Sequence, residues 1–167
     1  GARALFAGGL RRLRTLLLDG CGQIGDESIR RLPNGCPELR IASLCSLIRL
    51  GDAGVAAVAR GCPHLTELGL GLLHARLTDV GLEPLASGAC PRLRKLDLYH
   101  NEELTAARLL EVVAACPHLT HLNAKGLQFD DVGVVAQAEE LLWDLTDPDA
   151  TWEEADLTLR LQDALLR

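Results

Sequence analysis

The sequence predicts an α/β solenoid, a stack of about five strand–helix units. The first evidence is a tetrapeptide, Cys-Pro-x-Leu, that begins at Cys36, Cys62, Cys90 and Cys116, at intervals of 26, 28 and 26 residues. The second is that every copy continues with a short alternating apolar pattern and then a helical one. A sequence period of roughly 20 to 50 residues is typical of repeat proteins, in which each unit buries its apolar face against its neighbours.

The first half of each unit has the pattern of a short strand. Apolar residues stand six and eight positions after the cysteine, and an upstream fifth copy has Leu10 in the cysteine's place. Alternation with a period of two is typical of a strand with one buried face. The predicted inward positions are Leu16 and Leu18, Ala42 and Leu44, Leu68 and Leu70, Leu96 and Leu98, and Leu122 and Ala124.

The second half of each unit has the pattern of a helix, because a polar capping residue precedes an apolar run. The predicted starts are Gly25-Asp26, Gly51-Asp52, Thr78-Asp79, Thr105 and Asp130-Asp131. We expect these Asp and Thr side chains to accept hydrogen bonds from the first turn of their own helices. A glycine or small residue before each Cys-Pro, such as Gly35, Gly61 or Gly88, is expected to end the helix in the left-handed conformation.

These residues resemble the cysteine-containing leucine-rich repeat, whose pattern is roughly C-P-x-L-x-x-L-x-L, then a second cysteine, and then [TG]-D-x-G. The copy at residues 62–82 is a close match, and the resemblance covers residues 10–140. It implies a right-handed β-α superhelix with a parallel sheet on the concave face and helices on the convex face. This repeat is most common in F-box leucine-rich-repeat proteins, the substrate receptors of cullin-type ubiquitin ligases, and it also occurs in relatives without an F-box.

We expect one solenoid domain over residues 1–147 and an acidic capping helix over residues 148–167, which would cover the end of the stack. The predicted units are about 10–35, 36–61, 62–89, 90–115 and 116–142. The alternative for the last segment is an acidic tail that recruits a partner, because residues 126–167 carry a net charge of −9. Since the chain does not begin with Met, we also expect it to be part of a longer protein.

Composition argues against several classes of partner. The net charge of −6 disfavours nucleic-acid binding, for which the only candidate contact is Arg11-Arg12-Arg14. No apolar run reaches the roughly 18 residues of a membrane-spanning helix.

Four of the six cysteines share one repeat position. We therefore expect buried free thiols and a cytoplasmic or nuclear location. The distance between stacked units does not by itself exclude disulfides.

The sequence indicates neither a metal site nor catalysis. Cys116-x-His118-x-x-His121 has some likeness to a zinc motif, but the repeat explains it better, because His64 takes the place of His118 in an earlier copy. No phosphate-binding loop and no hydrolase motif occurs. We therefore expect no cofactor, no metal and no enzymatic activity.

The candidate binding surface is the outward face of the sheet, because residues that flank the inward leucines point away from the core and solenoid concavities commonly bind ligands. Taken singly, each of these residues is also explained as a solvated strand position. Gly69 and Gly71 are expected to leave a shallow dent. The residues predicted to bind a protein partner are Leu17, Asp19, Ser43, Glu67, Lys95, Asp97, Tyr99, His121, Asn123 and Lys125.

Two functions remain open from the sequence. The first, implied by the resemblance, is a protein-binding module that recognises substrates for a cullin-type ubiquitin ligase, with the ligase adaptor bound through a domain absent from this chain. The second is a non-enzymatic scaffold or assembly factor of a larger complex, in mitochondria for example. An upstream F-box would favour the first, and an Arg-rich presequence would favour the second.

Overall fold

In the computed structural model, five short parallel strands form one sheet, and helical segments connect them. The structure describes residues 10–127. The strands are β1 (Thr15–Leu17), β2 (Ile41–Ser43), β3 (Glu67–Gly69), β4 (Lys95–Asp97) and β5 (His121–Asn123). The helices are α1 (Asp26–Ile29), α2 (Leu32–Gly35), α3 (Asp52–Gly61), α4 (Asp79–Ala86) and α5 (Ala106–Ala115), with a 3₁₀ turn at His74–Arg76.

The sheet follows chain order, β1-β2-β3-β4-β5, and every pair is parallel. Equivalent repeat positions lie side by side, so that Leu68 pairs with Ala42 on one side and with Leu96 on the other. These inward residues are buried, whereas Leu16 in the first strand is half-buried. The structure confirms the predicted α/β solenoid and the predicted strand register.

The repeated cysteines form one buried column beneath the sheet. Cys36, Cys62, Cys90 and Cys116 are at most 2% exposed, and they are free thiols. The Cys90 thiol lies 3.3 Å from the Ala59 carbonyl oxygen in helix α3. Burial raises the pKa of Cys62 and of Cys90 to about 12. The column therefore packs as small neutral side chains.

The helices begin where the sequence predicts, but the expectation that each aspartate caps its own helix is wrong. The Asp52 Oδ1 atom accepts hydrogen bonds from Thr78 N–H at 2.8 Å and Gly81 N–H at 3.1 Å, both in the following unit. Asp26 and Asp79 bond the following unit in the same way. Each aspartate is the first helical residue rather than the cap itself, and the next unit's free N–H groups lie beside its carboxylate.

The two threonines do cap their own helices, as predicted. Thr78 Oγ1 accepts from Val80 N–H, and Thr105 Oγ1 accepts from Arg108 N–H, both at 3.2 Å. The Thr78 hydroxyl at the same time donates to Asp52 Oδ2 at 2.8 Å. One hydroxyl therefore links the capping of its own helix to the aspartate of the preceding unit.

The predicted left-handed glycine at the end of each helix occurs in one unit. Gly88 has a φ of +79°, whereas Gly35 and Gly61 are the last residues of their helices. Packing requires glycine at position 61, because a Cβ atom on Gly61 would collide with the ring of Pro33 in the preceding unit. Pro33 also begins the separate short helix α2, since proline fits the first turn of a helix.

A left-handed residue follows every strand and turns the chain away from the sheet. These residues are Gly20, Ser46, Leu72, His100 and Gly126. The backbone amide of each of the first four bonds a carbonyl of the next unit, as in Ser46 N–H to the Gly71 carbonyl at 2.9 Å. The residue just before each turn is thereby held beside its equivalents in the neighbouring units.

Two predictions fall on the part of the chain beyond this description. The helix start at Asp130-Asp131 and the capping helix at 148–167 lie outside the described residues. The boundary between solenoid and cap stays a prediction.

Candidate binding face of the sheet

Outward residues form three rows across the strands, which we call the sheet face. Strand pairing defines the first two rows, and the residues just past the strands make the third. The rows are Thr15, Ile41, Glu67, Lys95 and His121; Leu17, Ser43, Gly69, Asp97 and Asn123; and Asp19, Cys45, Gly71, Tyr99 and Lys125. The structure thus brings all ten residues that the sequence proposed for binding to neighbouring positions.

A groove of about 410 Å³ crosses all five strands of the sheet face. The first and second rows form its walls, and the inward residues Ala42, Leu68 and Leu96 form its floor. One end is apolar, where Leu17 is 65% exposed beside Ile41 on the adjacent strand. The other end is polar, at His121 and Asn123. The groove is therefore chemically different at its two ends.

Asp19 organises the apolar end of the sheet face. Its Oδ1 atom accepts hydrogen bonds from the Ser43 hydroxyl at 2.7 Å and from Cys45 N–H at 2.9 Å. These bonds join the first unit to the second through side chains as well as through the strand ladder. Asp19 and Ser43 therefore shape the face and are only partly free to bind a partner.

The predicted dent at the two glycines is present, but neighbouring side chains partly fill it. A Cβ atom on Gly69 would lie 3.1 Å from Cys45 Sγ, and one on Gly71 would lie 3.4 Å from Asp97 Oδ2. Because β3 carries no side chains at these positions, Cys45 Sγ reaches across it to within 3.9 Å of Asp97 Oδ2. The sequence placed Cys45 in its row but gave no signal for this cross-strand contact.

The Cys45 thiol is half-buried in this dent. Burial raises its pKa, and the Asp97 and Asp19 carboxylates raise it further, while hydrogen bonds from Gly71 and Ser43 act in the opposite direction. The net effect is a raised pKa, so the thiol is neutral at physiological pH. Cys45 thus contributes a small polarisable surface rather than a reactive thiolate.

The charges of the sheet face are unequally compensated. Lys95 Nζ lies 3.3 Å from Glu67 Oε1, so these two neighbours neutralise each other. Asp97 Oδ1 accepts only a backbone hydrogen bond, from Tyr99 N–H at 3.0 Å. Within residues 10–127, no cationic side chain forms an ion pair with Asp97. Its carboxylate is a negative charge that faces the groove without a counter-charge from this part of the chain.

Tyr99 is braced by the turn that follows it. Its ring meets the His100 ring edge to face, with 4.3 Å between the centroids. The His100 ring in turn lies over Gly126, where a Cβ atom would come within 2.7 Å of His100 Nδ1. The only tyrosine of the chain is therefore held at the rim of the face by the next unit.

The described part of the chain contains no cluster of side chains that could bind a metal ion. Between residues 10 and 127, no three His, Cys, Asp or Glu side chains converge as metal ligands. Cys116 is buried, whereas His118 and His121 are exposed, so the zinc-like spacing does not converge. Over the same range, no helix has the length and apolar character needed to cross a bilayer.

Comparison with known proteins identifies the fold. Neither a protein-family model nor a curated protein sequence matches the chain, but solved structures do. The C-terminal domain of Caenorhabditis elegans tropomodulin matches with a TM-score of 0.62 at 11% identity, over 99% of this chain and 93% of that one. The fold is a leucine-rich-repeat solenoid.

Two further solved structures match the chain, the second of them more weakly. Actin-binding site 2 of leiomodin-1 matches with a TM-score of 0.61 at 14% identity, over 99% of this chain and 90% of that one. Yeast Rad7, from its complex with Elc1, matches with a TM-score of 0.45 at 20% identity, over 78% of this chain and 42% of that one. Identities this low establish the fold alone, and the F-box resemblance stays a prediction.

Proposed function

We propose that this chain is a protein-binding module that holds its partner on the sheet face and performs no chemistry itself. The observation that carries the proposal is the groove, which crosses all five strands and has an apolar end, a polar end and an uncompensated carboxylate. An ordered surface with these three features suits a polypeptide better than a small molecule, because it is long, shallow and chemically varied.

Two observations support a binding role without catalysis. The fold is the one that carries actin-binding site 2 in leiomodin-1, so it serves as a protein-binding surface elsewhere, although 14% identity does not extend to actin as the partner here. The thiols of Cys62, Cys90 and Cys116 have pKa values raised by burial to about 12, 12 and 11. They are therefore neutral and cannot serve as nucleophiles at physiological pH.

The finer proposal is substrate recognition for a cullin-type ubiquitin ligase in the cytoplasm or nucleus. It rests on the Cys-Pro-x-Leu repeat, whose cysteines all occupy the buried column. The ligase adaptor would bind through a domain outside this chain. A scaffold or assembly factor, including a mitochondrial one, is the alternative on the same fold. Affinity capture with the full-length gene product tests this choice, because recovery of a cullin adaptor supports the ligase role and its absence supports the alternative.

The binding role itself is tested by a matched pair of variants. Leu17→Glu places a charge at the apolar end of the groove, and Val80→Glu makes the same change on helix α4. These residues are 65% and 69% exposed, so both variants should retain the wild-type melting temperature. Proteins captured from extract by the wild type are then purified and titrated against all three chains by calorimetry.

The outcome of that titration decides the assignment of the surface. We expect Leu17→Glu to weaken binding about tenfold or more, since replacing an apolar contact by a charge at this end of the groove should cost about 1.4 kcal/mol or more. Val80→Glu should bind like the wild type. Equal binding by Leu17→Glu and the wild type would remove the sheet face from consideration.

A further inference from the structure

We propose that the groove binds an extended peptide segment with an apolar side chain and, three or four residues away, an arginine or lysine that pairs with Asp97. This inference rests on the proposed function and narrows the partner to a chemical class. It follows from the direction of the groove, from the one uncompensated charge on its wall, and from the distance between that charge and the apolar end.

The direction of the groove requires a ligand that lies across the strands. Its lining residues come from all five strands, and each strand is only three residues long. Neighbouring strands are about 4.8 Å apart, so five strands span about 19 Å, which about six residues of extended chain cover. Strands β2, β3 and β4 are paired on both edges, so the segment does not add to the sheet there as another strand.

The cation follows from the charge balance of the groove walls. Besides His121 at the polar end, three acidic or basic side chains line it, Glu67, Lys95 and Asp97. The first two form an ion pair with each other, which leaves Asp97 as the charge without a partner within the described residues. Gly69, its neighbour across the strand ladder, has no side chain, and the Cys45 thiol makes only a long contact of 3.9 Å with Asp97 Oδ2. A carboxylate whose contacts are all neutral is a strong acceptor for guanidinium or ammonium groups.

The spacing follows from the position of the apolar end. Leu17 and Asp97 lie in the same row and are separated by three strand intervals, which is about 14 Å. Ile41 is two strand intervals and one row from Asp97, or about 12 Å. At about 3.3 Å per residue in an extended chain, these distances correspond to about four residues from Leu17 and between three and four from Ile41. The segment therefore has an apolar residue three or four positions from its basic residue.

A displayed library of random 12-residue peptides tests the inference directly. It is selected in parallel on the purified wild-type chain, on Asp97→Asn and on Glu102→Gln, an exposed acid that does not line the groove. Asparagine retains the oxygen that accepts the Tyr99 N–H bond, so Asp97→Asn should fold normally, which thermal unfolding checks. We expect the wild type and Glu102→Gln to enrich an apolar and a basic residue at the proposed spacing.

Synthetic copies of the enriched peptides then test the cation site at Asp97 separately from peptide binding by the sheet face. We expect Asp97→Asn to bind them about tenfold or more weakly, and Asp97→Lys to bind their Arg→Glu counterparts better than the wild type does. Peptides without a basic residue, or with equal affinity for Asp97→Asn, would overturn the inference, and so would a selection without enrichment. If such peptides still lose affinity for Leu17→Glu, the proposed function stands while the cation site fails.

Discussion

At the scale of single residues, Asn101 has the most exacting environment. Among residues 10–127 it is the one polar residue that is buried. Its Oδ1 atom accepts a hydrogen bond from Leu73 N–H at 3.1 Å, and its amide donates to the Leu70 and Leu98 carbonyls at 2.9 and 3.0 Å. The side chain therefore ties the third unit to the fourth through backbone groups that would otherwise be buried without a partner.

We expect Asn101→Leu to destabilise the fold by about 1–3 kcal/mol, the cost of leaving buried backbone groups unsatisfied. The substitution is a strict test of the hydrogen bonds, because leucine already fits the same repeat position in two other units, at Leu47 and Leu73, where it is buried. Urea denaturation measures the free energy of unfolding. Asn123→Leu, at an exposed position, is the control and should change it by less than about 0.5 kcal/mol. Equal effects of the two substitutions would show that the hydrogen bonds of Asn101 contribute nothing.

At the scale of secondary-structure elements, the starts of helices α3, α4 and α5 each depend on an aspartate of the preceding unit. The glycine at the third helical position also bonds this aspartate. Gly54 N–H donates to the Asp26 carboxylate, and Gly81 N–H donates to the Asp52 carboxylate. In α5 this position is Arg108, and its N–H donates to Thr105 Oγ1 instead. A Cβ atom on Gly81 would lie 2.6 Å from Asp52 Oδ1. Glycine is thus required by the neighbouring unit rather than by the helix.

We expect Gly81→Ala to destabilise the protein by about 1–3 kcal/mol, even though alanine favours an isolated helix by about 1 kcal/mol over glycine. Asp52→Ala should cost about 1–2 kcal/mol through the lost cap. The double variant should lose about 1 kcal/mol less than the sum, because the shortened side chain removes the collision with Asp52 Oδ1 and leaves only the one with the flexible end of Leu77. A double-mutant cycle by urea denaturation measures this coupling. Strict additivity would contradict the proposed contact.

At the scale of the whole molecule, the cysteine column makes the free energy of unfolding depend on pH in the alkaline range. Burial raises the pKa of Cys62 and Cys90 from 9.0 to about 12. Below about pH 9 both thiols are protonated in the folded and unfolded chains, so their contribution is fully present. Above it the unfolded chain releases protons first, and stability is lost as the pH rises toward the folded pKa.

We therefore expect the free energy of unfolding to fall between pH 9 and pH 11, by up to about 1.4 kcal/mol per pH unit for each buried thiol. Urea denaturation at several pH values measures the slope. The free energy of unfolding of the double variant Cys62→Ala with Cys90→Ala should fall less steeply, because it lacks both buried thiols. Parallel slopes would mean that these thiols ionise as easily in the folded chain as in the unfolded one.

Stacking also predicts a gradient of local stability along the solenoid, because each unit makes most of its contacts with its neighbours and the first unit has fewer of them. Three equivalent hydrogen bonds have similar lengths, from the amides of Leu18, Leu44 and Leu70 to the next unit, at 2.8, 2.9 and 2.8 Å. Hydrogen exchange measured by nuclear magnetic resonance should be slowest at Leu70 and fastest at Leu18. Identical rates would indicate that the units open together in one global event.

The sequence by itself determined the strands, their register and the rows of the sheet face, because the same short pattern recurs in every unit and fixes which side chains alternate inward and outward. It also located the helix starts. Only the tertiary structure showed which N–H groups bond the Asp52 carboxylate and which backbone groups bond the Asn101 side chain. It also showed that Pro33 requires glycine at position 61 and that the Cys45 thiol contacts Asp97. Each of these joins residues in different units, so it depends on how closely stacked neighbours approach, and a pattern read within one unit carries no information about that distance.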